Sequence, residues 1–469
     1  MKRLLCFLLI LSLLTGCGLQ VVKPLPAEEK ISVATVESAP SMPVFTEAPA
    51  TPEPTATLRQ TLATFAPLAD PEPLFPEEAL SRDGEPIGSL IRSLLEGEGL
   101  SKAVFFERFL EIIDRADALD AAILRLSNQG RTLTADRREK TADALMQLMS
   151  SETQTALQAA YSNCPGEGED LPVAQYSASM SALLRDVQAM EDRTSTFFAL
   201  GTQTARAYQT VLERFMGEPI VPLTVLHALE DLLETEAYAI NAALRMDPEA
   251  ARKKEPVSFG SFEQNLEFLR KVTEEICPLP GLIMPKVSAD REDMSLMELA
   301  FHYYPGMAFL RAYAAQTDAE QQARWANAPN GYLAGLAVHG SYAVVPYLEV
   351  FGLSYVQYKW YEDMLDVTMT GVSALLIHYY GYSGKDLAEY LKNWGAEGFT
   401  DYLYMKALSE PFESLVAAYG YWQYLDICQA SLDAGCPSEQ QFLQDYLNAG
   451  PAPYEQLKEY MVGLYQNQG

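Results

Sequence analysis

Between residues 104 and 126, apolar side chains fall at Phe105, Phe109, Ile112, Ile113, Ala116, Leu119, Ile123 and Leu126. Gaps of three and four place them on one face of a helix. The same rhythm runs through most of the chain beyond residue 77 and predicts a mainly α body. Helix starts are marked by Ser261 with Gln264, Ser295 with Glu298, Ser383 with Asp386, and Ser438 with Gln441. In each pair the hydroxyl caps a backbone N–H and the later side chain reaches back. Pro and Gly at 165–168, 278–281, 305–306 and 450–453 predict helix ends. Residues 341–356, rich in Tyr and Val, read equally as strand or buried helix. No repeat of fixed period is present. A polar, Pro-bearing stretch at 247–260 marks a weak boundary. The expected architecture is a large multi-helix domain over 77–469, single or in two lobes around a cleft.

The start of the chain follows another pattern. Lys2 and Arg3 precede an apolar run from Leu4 to Leu14, broken only by Ser12. Eleven residues are too few to cross a bilayer, which takes about 20, so the run reads as a secretory signal over residues 1–16. It ends in Leu14-Thr15-Gly16-Cys17, which resembles the bacterial lipobox. In such signals the cysteine is acylated and becomes the new N-terminus, so Cys17 is the expected lipid anchor. No later segment offers about 18 uninterrupted apolar residues. The expected location is the extracytoplasmic face of the cell membrane, with membrane lipid as the first partner. Residues 17–76 are rich in Pro, Ala, Thr and Glu. Such a segment buries too little apolar surface to offset its chain entropy, so it reads as a disordered tether.

Composition narrows the functional classes. Some 390 residues remain for the body, enough for a sizeable core. The formal net charge of −29 argues against nucleic acid, whose phosphates need a Lys/Arg footprint. Of six cysteines, Cys6 leaves with the signal and Cys17 carries lipid. Cys164, Cys277, Cys428 and Cys436 remain, in no zinc-like spacing. Outside the cytoplasm they are candidates for two disulfides, Cys428 with Cys436 and Cys164 with Cys277. Four reduced, buried thiols are the alternative.

No phosphate-binding Gly loop, nucleophile elbow or His-Glu-x-x-His helix is present. Residues 301–382 are dense in Tyr and hold three of the four His: His302, His339 and His378. His227 sits in the helical run Thr224–Leu233 and reads as structural. The order of segments over 296–465 resembles the bacterial domain-of-unknown-function family 885, helical and often lipoprotein chains related by pattern to zinc metallopeptidases. The family's His-Glu-x-Tyr-Pro-Gly-His-His appears as Phe301-His302-Tyr303-Tyr304-Pro305-Gly306-Met307-Ala308. Its Glu-Gly-Trp-Ala appears as His339-Gly340-Ser341-Tyr342, with Pro346 where a further Glu would stand. Its Asp-x-Gly-x-His becomes Ala374 to His378, before Gly381-Tyr382-Ser383. Farther on, Pro411 and Gly420 match a Pro with a Gly nine residues later, and Phe442, Leu447, Gly450 and Pro453 match the family's ending.

The resemblance implies a peptidase scaffold from which the chemistry has gone. A zinc hydrolase needs three ligands, an open position and a base. Phe301, Met307 and Ala308 replace the family's His, so no cofactor is expected. The leading expectation is a catalytically degenerate, ligand-binding lipoprotein, its ligand a peptide or cell-wall fragment. Tyr303, Tyr304, Pro305, Gly306, Gly340, Tyr342, Tyr379 and Tyr380 are the cleft candidates, with core packing the alternative for any one Tyr. A second expectation is an unconventional hydrolase with zinc on His302, His339 and His378, since two lost Glu positions became His. A third is a scaffold or partner-binding surface protein.

Overall fold

The computed structural model of the protein describes residues 72–96, 100–253, 259–276, 294–302, 324–325 and 328–466. Cys17 and the tether up to residue 71 lie outside the described residues, as do Cys277, Tyr303, Tyr304, Pro305, Gly306 and the side chain of His302. No strand occurs among the described residues, and residues 341–356 are helical.

A short helix α1 (Pro76–Ala79) runs through a π turn into α2 (Glu85–Glu96). Then come α3 (Lys102–Asn128), α4 (Ala135–Leu148), α5 (Ser151–Asn163) and α6 (Val173–Gln188). Ser101 caps α3 by accepting the Val104 N–H, and all eight apolar positions of its predicted face are buried. Against that face lie Tyr176, Met180 and Leu183 of α6, Tyr161 of α5 and Ile87, Ile91 and Leu94 of α2, forming the first core.

The second core is built from α7 (Thr202–Met216), α8 (Pro222–Met246), α9 (Phe262–Ile276), α10 (Leu296–His302), α11 (Asn330–Ala343) and α12 (Leu353–His378). It continues through α13 (Gly384–Lys392), α14 (Thr400–Ser409), α15 (Glu413–Asp433), α16 (Glu439–Ala449) and α17 (Tyr454–Gln466). At its centre is α12, whose 26 residues span about 39 Å. It packs on α8, α14 and α15, and from Thr370 to His378 every residue is buried. The hydroxyls of Thr370 and Ser373 donate to carbonyls one turn back, which lets them sit in the interior.

The two cores meet through the residues just after the tether. Phe75 belongs to the second core, 4.3 Å from the Phe197 ring, while Ala79 and Leu80 belong to the first. Among the described residues, Pro73 and Phe75 are already buried, within the expected tether. The division between cores falls near 191–196. Across the expected boundary at 247–260, the described residues of α8 and α9 share one core, in which Ala250 is fully buried. Among the described residues no helix is long and apolar enough to cross a membrane.

Three cysteines follow the reduced-thiol alternative rather than the disulfides. Cys164, Cys428 and Cys436 are free thiols. Cys164 Sγ donates to the Ala160 carbonyl and Cys436 Sγ to the Ser438 carbonyl, each at 3.3 Å. Burial pushes the Cys428 thiol up to about 12, away from the reactive thiolate. The Cys428–Cys436 bridge is therefore not formed, and the second expected bridge involves Cys277, outside the described residues.

Candidate functional site

The predicted site residues divide between the two ends of α12. His378 closes its C-terminus and is fully buried. Its Nδ1 accepts the Phe197 N–H at 3.2 Å, and its Nε2–H donates to the Ala407 carbonyl at 3.0 Å. The ring lies 4.9 Å from Phe197 and 5.4 Å from Tyr208. Both nitrogens are spent on backbone, so this imidazole pins α12 to α14 and to the segment joining the two cores, and has no lone pair left for a metal. Tyr379 and Tyr380 follow it, half-buried and edge to face at 5.0 Å.

His339 and Tyr342 belong to the other end. The His339 ring stacks on Tyr424 of α15, centroids 4.2 Å apart. Tyr342, one turn along α11, contacts Trp360 at 4.9 Å. Trp360 and His378 are eighteen residues apart on α12, about 27 Å along its axis. His339 and His378 therefore do not share a site. The reason is local: family-like spacing placed each His on a helix facing a different neighbour. Among the described residues no group of three or more His, Cys, Asp or Glu side chains is placed to hold a metal ion. Of the expected three-His set, His339 and His378 are thus not brought together, and the His302 side chain lies outside the described residues. His227 is exposed on α8, away from both ends.

What gathers beside Tyr342 is an aromatic cluster, with one acid near its Tyr361 and Tyr421 members. Gly340 is buried, as is Ser341, whose Oγ accepts the Trp360 indole N–H at 2.9 Å. Trp360 stands edge to face with Tyr361 at 5.0 Å and with Tyr421 of α15 at 5.9 Å, and Tyr342 lies 6.2 Å from Tyr361. Beneath them, Glu236 of α8 is 1 % exposed. Its Oε1 accepts the Thr368 hydroxyl at 2.8 Å, while its Oε2 is buried without a partner. The Tyr361 and Tyr421 hydroxyls lie close enough to Glu236 that its charge helps raise their pKa values, after burial itself. The Tyr361 hydroxyl also meets that of Tyr342. Trp360, Tyr421 and Thr368 are buried, whereas Tyr342 and Tyr361 are half-buried and carry the cluster to the surface.

A second recess, about the size of one water molecule, is lined by Met216, Tyr332, Gln423, Tyr446 and Tyr454. Its polar groups are matched. Glu218 accepts from the Gln423 amide at 2.6 Å and the Tyr454 N–H at 2.9 Å, and Asp426 accepts from Tyr454 and Lys458. It reads as a filled joint between helices.

Burial sets the ionisation of four groups. It pushes Glu236 up to about 8 and Glu218 up to about 7, and pushes His339 and His378 down to about 3. For His378 the nearby Arg193 adds to the fall. From about pH 3 to 6.5 the unfolded chain binds the imidazole protons more tightly, so the histidines make stability rise with pH. From 4.5 upward the folded chain holds the carboxyl protons more tightly, so Glu218 and Glu236 make it fall until about 7 and about 8. The slopes oppose one another between 4.5 and 6.5, and only the fall remains above. Urea unfolding should therefore show stability dropping from pH 6.5 to 8, by up to about 1.4 kcal/mol per pH unit for each proton held. Glu236→Gln should flatten the drop between 7 and 8. An unchanged slope would show that Glu236 is ionised in the folded protein.

Of the residues in this cluster, the sequence reading named Gly340 and Tyr342 and did not name Glu236, Trp360, Tyr361, Thr368 or Tyr421. A signal for Glu236 exists. Val225, Leu229, Leu232, Glu236, Ile240 and Ala243 keep one helical period, with an acid at a core position.

No protein-family model matches the chain, and no match to a curated protein was found. Several solved structures are similar, two of which follow. One is "the putative lipoprotein from Colwellia psychrerythraea", with a TM-score of 0.55 and 11% identity over 81% of this chain and 79% of that one. The other is "a putative lipoprotein of unknown function from Shewanella oneidensis", with a TM-score of 0.41 and 10% identity over 87% of this chain and 96% of that one. The first supports the fold. The resemblance to family 885 rests on the motifs and their order.

Proposed function

We propose that the mature protein is a lipoprotein, anchored through acylated Cys17 on the extracytoplasmic face of the membrane. Its helical body binds a peptide or cell-wall fragment without cleaving it. The lipobox and tether support the anchor, and the similar Colwellia chain is itself described as a putative lipoprotein. The observation that carries ligand binding is Glu236. A buried carboxyl oxygen with no partner is costly in a native interior, and functional sites are where such costs persist. The aromatic side chains above it match the apolar walls and few convergent polar groups of small-ligand sites. The family resemblance adds a scaffold whose relatives handle peptides, in a chain whose ligand positions are replaced.

The test uses the full-length protein in detergent, with a panel of peptides and cell-wall fragments. A binder at a hundredfold excess over its Kd should stabilise the fold by about 2.7 kcal/mol, visible as a rise in Tm. Mass spectrometry should find the fragment intact, with or without chelator. Cleavage lost on chelation would overturn the reading in favour of a hydrolase. A flat panel would leave a scaffold.

A further inference from the structure

We propose that residues 72–79 form a latch across the seam between the two cores, one that releases as a unit ahead of either core and uncovers Arg193 beneath it. The latch does not depend on what the body binds.

This short strap grips both sides of the seam at once. Phe75 is buried against Phe197 of the second core at 4.3 Å, and the guanidinium of Arg131, which follows α3, covers its ring at 4.8 Å. The Pro73 and Leu74 carbonyls accept from Arg125 and Arg131 on the first side. Glu78 pairs with Arg214 of α7 on the second side at 2.7 Å. Glu77 pairs with Arg193, in the segment that joins the cores, at 2.5 Å.

Three features make the strap the part that opens first. Its seat is imperfectly matched: Glu77 Oε2, Arg193 Nε and Nη1, and the nearby Arg137 Nε are buried without a partner. Unmatched polar atoms penalise the closed state, and water satisfies them once the strap lifts. The buried positions of α3 are apolar, so opening that helix brings no such relief. Lifting the strap also exposes less apolar surface than opening α3 or α12, and local openings are drawn from segments with few such contacts. Finally, α4 of the first core meets the start of α15 and the turn before it through charge. Arg137 pairs with Glu413 at 2.6 Å and Lys140 with Glu410 at 3.5 Å, all four side chains partly open to water. Such pairs hold weakly. Among the described residues the strap comes first in the chain, so a pull from the N-terminal side loads it before either core.

Arg193 is itself the reporter, because a guanidinium under the closed strap is shielded from a dicarbonyl reagent. Full-length protein in detergent is treated with phenylglyoxal in urea below the unfolding transition, and Arg193 modification is read by mass spectrometry. Amide exchange of the α3 and α12 interiors is followed on the same samples. A latch predicts that Arg193 is modified well ahead of core exchange, with less than about half its urea slope, since the slope follows the surface exposed. Phe75→Ala should speed the modification at least about a hundredfold, the effect of deleting a buried aromatic. Ile123→Val, inside the first core, should speed α3 exchange about two- to tenfold and leave Arg193 modification unchanged, because Ile123 stays packed when the strap lifts. Modification of Arg193 with the full urea slope of the cores would overturn the latch, as would an equal acceleration of both readouts by Ile123→Val. Rapid exchange of the Ala79 and Leu80 N–H groups with Arg193 still protected would mean a fraying end, and would overturn it too. The urea slopes are read on the unaltered protein, so a variant that fails to fold leaves the test in place.

Discussion

Arg193→Ala is expected to cost the protein about 3–5 kcal/mol, the loss typical when one partner of a buried ion pair is removed. Arg193 is 6 % exposed and Glu77 is 1 % exposed. Their side chains meet at 2.5 Å, Arg193 also donates to the Leu408 carbonyl at 3.2 Å, and its guanidinium lies 4.3 Å from the Phe197 ring. Burial raises the Glu77 carboxyl's pKa, and Arg193 is the main group pulling it back. Without Arg193 that acid is alone in the interior. A folded domain has about 5–15 kcal/mol in hand, so most of the margin would go. The position magnifies the effect. Glu77 sits in the segment that enters both cores, beside Phe75, with Glu78 held by Arg214 at 2.7 Å and the Leu74 carbonyl by Arg131. Urea unfolding of the single and double variants is the check. Arg193→Met with Glu77→Gln should recover much of the loss, because a buried pair replaced as a unit is often neutral. A loss below about 1 kcal/mol for Arg193→Ala, or a double variant as unstable as the single, would sink the account.

What was legible in the sequence followed local rules. The α3 face was readable because one helix period decides it. The pairs Ser261–Gln264, Ser295–Glu298 and Ser383–Asp386 make their reciprocal capping bonds, since three residues suffice to specify them. At Ser438 the hydroxyl accepts the Gln441 N–H, while the Gln441 side chain also donates to Asp445, a partner on the next turn. The site was less legible because it depends on which helices meet. His339 and His378 looked alike in the sequence, yet one stacks on Tyr424 and the other joins Phe197 to Ala407. No spacing rule says which neighbour a helix faces. Tyr342 was found on composition and motif order, but its companions Trp360, Tyr361 and Tyr421 fall in no motif. Glu236 belongs to a third helix more than a hundred residues earlier, and only the contact between α8 and α12 makes it part of the site.

The second large effect is expected at the crossing of α11 and α15. A methyl group on Gly335 would fall inside van der Waals contact of the Gly420 carbonyl, and one on Gly420 would strike the Gly331 carbonyl. Here backbone meets backbone, closer than the usual 8–10 Å between helix axes permits with side chains interposed. No rotamer can move aside. Gly420→Ala would gain about 1 kcal/mol of helix propensity, but the helices must separate along a buried seam. Overpacking a core costs about 1–3 kcal/mol where side chains can adjust, so the net loss should reach at least about 2 kcal/mol here, and more for Gly420→Val. Gly384→Ala is the control. Gly384 begins α13 with open space around its Cβ position, so the change should be within about 0.5 kcal/mol of neutral. The crossing also aims the site. Tyr421 follows Gly420 and reaches Trp360, while Tyr342 lies two turns beyond Gly335 on the facing helix. Prising α15 from α11 draws Tyr421 off the cluster and exposes Glu236 to water. Gly420→Ala should thus change the near-UV circular dichroism of the packed aromatic cluster under conditions where it remains folded. An unchanged aromatic signal in a destabilised but folded Gly420→Ala protein would mean that the cluster is set by α12 alone.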